Sequence, residues 1–205
     1  MSIFRQPYER HDHKGGLDSC LVYYLLTKYG RKGEKWLDQF GGGDVIIKVG
    51  SEIGITITKI SLDKGEDARE LPFVEGEFDG VICHPPYWKA IKYSEDKRDL
   101  SAIKKYEDYL KELEKALNEA IRVLKTGGKL IVIIGDYRKE GVLYPIHSDV
   151  IQLLKKKKEL ILRDYIIWEL SATGTALIST KWMIMANFCL IWEKKESLER
   201  WITTP

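Results

Sequence analysis

The chain has no close pairing of cysteines. Its three, Cys20, Cys83 and Cys189, are widely spaced and form no CxxC unit, which disfavours a zinc site or a disulfide framework and fits a reducing cytoplasm. No apolar core follows Met1-Ser2-Ile3-Phe4-Arg5-Gln6-Pro7, and no hydrophobic run approaches the length of a bilayer. Neither a secretory signal nor a membrane span is therefore expected, and the localisation read from the sequence is cytoplasmic. An excess of charge of one sign is also missing: the formal net charge is +2. Any binding of nucleic acid must then come from where charges sit, not from an overall basic field. His11 and His13 have no further spaced ligands around them, so no metal is expected. Internal repeats and low-complexity linkers are lacking, and 205 residues with 44% hydrophobic content can bury one sizeable core. A single domain over residues 1–205 is the expectation.

Along the chain, residues 1–16 are polar and read as an N-terminal arm. A helix is predicted over 17–29, with Leu21, Val22, Leu25 and Leu26 as its apolar stripe and Gly30 as its stop. A short strand over 35–40 leads into the turn Gly41-Gly42-Gly43, with Asp44 as cap of a helix over 45–53. Strands follow over 55–62, ending at Asp63, and over 78–83. The longest helix is predicted over 103–125, with Tyr106, Leu110, Leu113, Leu117, Ala120, Ile121 and Leu124 on one face and Gly127 past its end. After it come a buried strand over 129–134, a helix over 148–157, and two long strands over 160–170 and 183–193. Alternating helices and strands predict a three-layer α/β domain whose closing strands form an antiparallel pair.

Two of the six prolines are consecutive, in His84-Pro85-Pro86-Tyr87-Trp88, directly after the apolar strand Phe78-Asp79-Gly80-Val81-Ile82-Cys83. Prolines can neither extend the ladder nor start an ordinary helical turn there, so the chain must leave the strand in a stiff corner with unpaired carbonyls. An acceptor residue, Pro-Pro and an aromatic after a strand resembles the Asp/Asn/Ser-Pro-Pro-Tyr/Phe/Trp motif of the S-adenosylmethionine-dependent DNA amino-methyltransferases, which methylate cytosine N4 or adenine N6. Upstream, Trp36-Leu37-Asp38-Gln39-Phe40-Gly41-Gly42-Gly43 resembles that family's Asp-Pro-Phe-x-Gly-x-Gly cofactor run, with Gln39 in place of Pro. Downstream, the stretch from Arg122 through Gly127-Gly128 to Asp136 resembles the helix, glycine turn and fifth strand that follow the corner. The likeness covers roughly residues 11–195 and is nearest to small prokaryotic or phage methylases that carry His-Pro-Pro-Tyr-Trp. It implies a class I, Rossmann-like methyltransferase domain, abbreviated between its second and fourth strands, with no separate target-recognition domain.

By this resemblance Asp38, Phe40, Gly41 and Gly43 line the methionine end of S-adenosylmethionine, Asp63 accepts from the ribose hydroxyls, and Asp67 with Ala68 flanks the adenine. The segment His11-Asp12-His13-Lys14-Gly15 would reach the cofactor carboxylate. An exocyclic amine is a poor nucleophile because its lone pair is delocalised into the ring, so the enzyme must accept hydrogen bonds from its N–H groups. The catalytic set implied is His84, Pro85, Pro86 and Tyr87: the Pro85 carbonyl and His84 as acceptors, Tyr87 stacking on a base flipped from duplex DNA, and Trp88 beneath the base or at its entrance. A neutral imidazole offers one acceptor nitrogen, so activity is predicted to fall as His84 protonates, near an unperturbed pKa of about 6.5. Cytosine C5 methylation is set aside, because it needs a cysteine nucleophile and Cys83 precedes the prolines.

Lys89, Lys92, Tyr93 and Arg98, in the loop over 89–98, are the candidate nucleic-acid contacts beside Tyr87 and Trp88, with residues 171–181 and the lysine run 155–158 as further possibilities. Double-stranded DNA is the partner implied, with cytosine N4 ahead of adenine N6 because Pro-Pro-Tyr-Trp looks more like the cytosine branch. RNA amino-methylation is the alternative within enzymes. A binding protein that has lost catalysis is the alternative of another class, motivated by His84, Gln39 and the shortened middle. The sequence specifies no oligomeric state.

Overall fold

The computed structural model describes residues 2–5, 16–169 and 186–196. Its strands and helices, in chain order, are β1 (Ser2–Arg5), α1 (Ser19–Tyr29), β2 (Lys35–Asp38), α2 (Val45–Ile53), β3 (Thr56–Lys59), β4 (Phe78–Cys83), α3 (Tyr106–Val123), β5 (Leu124–Gly135), β6 (Tyr137–Lys139), β7 (Val142–Tyr144), α4 (Ile146–Lys155), β8 (Leu160–Glu169) and β9 (Ala186–Lys194). Seven strands form one sheet in the order β1-β8-β9-β5-β4-β2-β3. Pairing is parallel except on the two sides of β9, which runs antiparallel to β5 and β8.

Alternation along the strands decides what covers each face. Leu130, Val132 and Ile134 of β5 face the side where α3 and α4 bring Tyr109, Leu113, Leu117, Val150 and Leu154. Ile131 and Ile133 face the other side, where α1 and α2 bring Leu21, Leu25, Ile46 and Val49. Both sides of the central strand are thus buried, as its unbroken apolar run requires. Each fully buried aliphatic side chain stabilises the fold by about 1.5–3 kcal/mol relative to exposure. Helix α1 begins where Asp18 accepts from the backbone N–H of Cys20 at 2.7 Å and of Leu21 at 3.2 Å, a cap whose loss typically costs about 1 kcal/mol.

The expected abbreviation lies between β3 and β4. Residues 60–77 hold one short 3-10 turn, Leu62–Lys64, and neither strand nor α-helix. Side chains from neighbouring elements satisfy their backbone. Arg122 of α3 donates to the Phe73 and Leu71 carbonyls at 2.7 and 3.0 Å, and Glu119 accepts from the Leu71 N–H at 2.9 Å. Gln39, fully buried just past β2, donates through Nε2 to the Ala68 and Ala116 carbonyls at 2.9 and 2.7 Å.

Several elements differ from the sequence expectation. Ser2–Arg5, read as part of an arm, is an edge strand paired with β8; four residues are too few to show a period. The strand after α3 starts at Leu124, because Gly127, at φ 81°, sits in an irregularity of the β4–β5 pairing and does not stop the helix. The hairpin β6–β7 was not expected, and α4 starts at Ile146. Asp44 makes no capping hydrogen bond; its carboxylate pairs with Lys59 at 2.6 Å. The start of the last expected strand, residues 183–185, lies outside the described residues, as do 6–15 and 171–181.

Candidate active site

A cleft of about 330 Å³ opens at the carboxyl ends of β2, β3 and β4, lined by residues 38–43, 60–63, 66–69, 84, 86 and 93–94 among others. Such crevices at strand ends are where ligands bind in open α/β sheets. Asp38 ends β2 and is 3% exposed; burial pushes its carboxyl up to about 7, against the opposing pull of Lys59 and of the Phe40 N–H. Gly41 lets the turn lie close against its surroundings: a Cβ there would meet the Lys59 side chain at 2.0 Å and Asp38 Oδ2 at 2.9 Å. Phe40 and Gly43 line the same cleft. Asp63 sits at its rim, exposed, and accepts no hydrogen bond from the described residues.

Asp67 and Ala68 also reach the cleft, but the Asp67 carboxylate is already engaged. Arg69 binds it with Nε at 2.9 Å and Nη2 at 2.7 Å, and its backbone N–H adds a third bond at 2.9 Å. Burial works against ionisation of Asp67, and the Arg69 guanidinium more than offsets it, leaving the carboxyl below its ordinary range. Arg69 also bonds Glu112 of α3 at 2.6 Å. Asp67 is therefore positioned by Arg69, with less acceptor capacity for an adenine amine than the sequence implied.

At the end of β4 the Pro-Pro corner is held from outside. The Pro86 carbonyl accepts from the Tyr109 hydroxyl at 2.8 Å and from the Trp88 N–H at 3.0 Å. The Pro85 carbonyl accepts nothing from the described residues. His84 Nε2 lies 2.9 Å from the Tyr87 hydroxyl. Burial pulls the imidazole down to about 4 and pushes the Tyr87 phenol well above its ordinary range. This moves the expected protonation of His84 from about 6.5, the unperturbed value, to about 4, because burial penalises the charged form of the ring. Tyr87 packs on the backbone of Gly135, where a Cβ would come 2.8 Å from its ring. Cys83 is fully buried and its thiol is pushed up, consistent with its exclusion as a nucleophile.

Trp88 corrects an expectation. It is 4% exposed, its Nε1 donates to the Ile103 carbonyl at 2.9 Å, and its ring packs against Tyr106, Tyr137 and Tyr144 at centroid distances of 5.2, 5.6 and 4.7 Å. A ring so enclosed anchors the corner and offers no face to a base. Its φ of 46° is strained for a non-glycine residue and is tolerated because these contacts hold it.

The loop after the corner also departs from expectation. Tyr93, Ser94, Arg98, Asp99 and Leu100 form a wall of the cleft. Arg98 donates to the Gly65 carbonyl at 2.9 Å, and Arg69 donates to the Arg98 carbonyl at 3.2 Å, so the loop clasps the irregular stretch across from it. Arg98 also pairs with Asp96 at 2.6 Å. Lys92 pairs with Glu95, and Lys89 lies 5.2 Å from the Trp88 ring centroid. Tyr93 and Arg98 thus belong first to the cleft, whereas Lys89 and Lys92 lie outside its lining.

Sequence reasoning missed Tyr109, Gln39 and His147. Tyr109 was legible in part, since a tyrosine within an apolar helical stripe needs a partner for its hydroxyl. Asp136, at the end of β5, accepts from both Nδ1 and the backbone N–H of His147, at 2.6 and 3.2 Å; nothing in the spacing announced that contact. Among the described residues no group of His, Cys, Asp and Glu could hold a metal ion, and no helix is long and apolar enough to cross a membrane.

The sequence profile of a DNA methylase family, one whose scope is N6 and N4 methylation, matches residues 78–201, more than half of the chain. The chain belongs to the DNA methylase family. No curated protein matches it. Among solved structures, a candidate DNA modification methylase from Thermus thermophilus is 25% identical, with 64% of this chain and 51% of that protein covered and a TM-score of 0.48. The chain thus spans about half the length of that relative. A methyltransferase dependent on S-adenosylmethionine from Methanosarcina mazei is 14% identical over 84% of this chain and 98% of its own, with a TM-score of 0.57. The [4+2]-cyclase SpnF is 17% identical over 91% and 86%, with a TM-score of 0.61. The last two likenesses show that the family member has a class I methyltransferase fold. The cyclase among them is a reminder that activity has to be argued from the site.

Proposed function

We propose that the chain is a DNA amino-methyltransferase that uses S-adenosylmethionine and acts on the exocyclic amine of a flipped base, cytosine N4 ahead of adenine N6. The observation that carries this reading is the corner after β4, where among the described residues nothing donates to the Pro85 carbonyl while Tyr109 and Trp88 saturate its neighbour at Pro86. An acceptor left open on a stiff, externally braced corner beside the cleft is what an amine N–H needs. The cleft suits the cofactor: a buried acid for an ammonium group at Asp38, a close-approach glycine at Gly41, and an exposed rim carboxylate for a diol at Asp63. When bound, S-adenosylmethionine supplies an electrophilic methyl group on a sulfonium.

The protein's own residues then orient and accept. The Pro85 carbonyl takes one amine hydrogen. His84 stays neutral above a pKa of about 4, so one of its ring nitrogens remains an acceptor. With Nε2–H donating to the Tyr87 oxygen, Nδ1 is the acceptor; in the other tautomer the Tyr87 hydroxyl donates to Nε2, which becomes free to accept an amine hydrogen when Tyr87 turns away. The same low pKa makes His84 an orienting group and a poor store for the proton lost from the amine.

The test is transfer of labelled methyl from S-adenosylmethionine to DNA and, separately, to RNA, with nucleoside mass spectrometry of the digest. N4-methylcytosine or N6-methyladenine in DNA is the expected product. Label in RNA alone would replace the substrate, and cofactor binding with no transfer to either would replace the activity by a binding role.

A further inference from the structure

Asn187 is a buried amide near the start of β9. It is 7% exposed, and among the described residues nothing bonds its side chain. Across the sheet it pairs with Trp168 of β8 on one side and Gly135 of β5 on the other. Trp168, itself 7% exposed, fills its flank. Gly135 leaves the other flank open: a Cβ there would lie 2.4 Å from Asn187 Oδ1 and 2.8 Å from the Tyr87 ring. The amide and that ring therefore share the space over one glycine, and the ring's hydroxyl lies 2.9 Å from His84 Nε2. Strand alternation turns Asn187 to the same face as Cys189 and Ile191, toward α1 and α2. From that face Leu17, Val45 and Ile46 reach the cleft.

Packing gives no reason for an amide at this position. Left without partners, a buried polar group costs about 1–3 kcal/mol, and an apolar side chain of the same shape carries no such cost. A ligand that takes the amide removes it. With Oδ1 set over Gly135, Nδ2 is the end left to bind, and it offers two donors. A flipped base is read along its Watson–Crick edge, and the bases differ there. In cytosine and adenine the ring nitrogen beside the amine, N3 or N1, is bare and accepts a hydrogen bond. In guanine and thymine the corresponding nitrogen bears a proton. The Pro85 carbonyl and His84 supply acceptors for the amine hydrogens, so the bare ring nitrogen needs a donor from another residue.

We propose that Asn187 selects the target base: its Nδ2–H donates to the ring nitrogen beside the reacting amine, N3 of cytosine or N1 of adenine. This rests on the reading of the chain as a DNA amino-methyltransferase. The contact favours an amine flanked by a bare ring nitrogen and disfavours guanine and thymine, whose ring N–H would meet the amide hydrogens.

The test pairs a side-chain change with a change of one ring atom. Methyl transfer by the full chain and by Asn187→Ala is measured on mixed-sequence DNA carrying natural bases, and on the same DNA with cytosine replaced by 3-deazacytosine or adenine by 1-deazaadenine, in which a C–H stands for the bare nitrogen. On the natural base that the chain methylates, Asn187→Ala should lower kcat/KM about tenfold; on its deaza analogue the two proteins should differ by less than twofold. Any effect of the analogue on base pairing falls on both proteins alike and drops out of the comparison. Equal losses on the natural and deaza bases would overturn the proposal, since a merely structural role is blind to that one atom. A second measurement needs no catalysis. The Asn187 side-chain amide is followed by nitrogen-15 NMR in the chain saturated with S-adenosylhomocysteine, its signal being the one missing from Asn187→Ala. Natural DNA should shift it and the deaza DNA of the bound base should not; no shift with natural DNA, or the same shift with both, would also overturn the proposal. Transfer that proceeds with equal losses would sink the role of Asn187 and leave the enzyme standing. A chain that transfers no methyl to DNA would sink the enzymatic reading, while the amide signal still decides whether Asn187 holds a base.

Discussion

Cofactor affinity should depend on pH through Asp38. In the free protein this carboxyl is 3% exposed and burial raises it to about 7, so below neutrality it is largely protonated. A cationic ligand beside it requires the carboxylate, and forming the complex must expel that proton. Each pH unit below 7 then costs about 1.4 kcal/mol of binding free energy, a factor of about ten in Kd. From pH 7, where half the carboxyls are already protonated, to pH 5 the affinity for S-adenosylmethionine should fall about fiftyfold, and above pH 8 it should level off. Calorimetric titration in two buffers of different ionisation enthalpy reads the protons directly, with nearly one released per cofactor at pH 6 and almost none at pH 8. Asp38→Asn should weaken binding and flatten the dependence, which also separates this proton from any carried by the ligand's own amine. The stability of the free protein carries the opposite sign. Between about pH 4 and 7 the folded state holds a proton that the unfolded chain has lost, so the free protein loses stability as pH rises through that window and ligand restores it. Proton release near zero at pH 6, or an unchanged slope in the Asn variant, would refute the reasoning.

Three further outcomes follow from the geometry. Because His84 titrates near 4, methyl transfer at saturating cofactor should show no inflection near pH 6.5; a fall there that disappears in His84→Asn would show the ring to be far more solvated than the structure has it. Tyr109→Phe removes the brace on the Pro86 carbonyl and should cost about 0.5–1.5 kcal/mol of stability; stopped-flow measurement should find the transfer step slowed with the cofactor Kd unchanged, and an unaltered rate would make the brace irrelevant to catalysis. Arg98→Ala opens the clasp to Gly65, and cofactor dissociation followed by fluorescence should quicken several-fold with the melting temperature unmoved; unchanged dissociation would leave the loop outside the cofactor's path.

The layered fold was legible because its core strands and helices repeat their periods without interruption, as in the run Leu130–Ile134 and the stripe Leu21, Val22, Leu25, Leu26. The corner at 84–88 was legible because consecutive prolines restrict the chain locally. Contacts that depend on a third element were not. Trp88 looked like a face for a base until Tyr106, Tyr137 and Tyr144 closed over it. Asp67 looked free until Arg69 took its oxygens. The pKa of His84 could not be read at all, since burial is a property of the packed molecule. Gln39 was visible only as a missing proline. In the structure its amide ties the shortened stretch at Ala68 to α3 at Ala116, work that a proline, having no side-chain donor, could not do.

The loop that leaves the corner after β4 also forms a wall of the cleft. Traffic through the two compartments is therefore not independent. A nucleic acid held by Lys89 and Lys92, as the proposed function has it, would lie on the outer side of the same segment whose inner side lines the cleft, so that the clasp at Gly65 and Arg98 would have little freedom to open while it stays in place. On the proposed function, turnover would take a fixed order, with cofactor entering before the polymer and its demethylated product leaving after the polymer has gone. For an enzyme of this build, successive methylations along one strand would each require release, and marks would be laid down one encounter at a time.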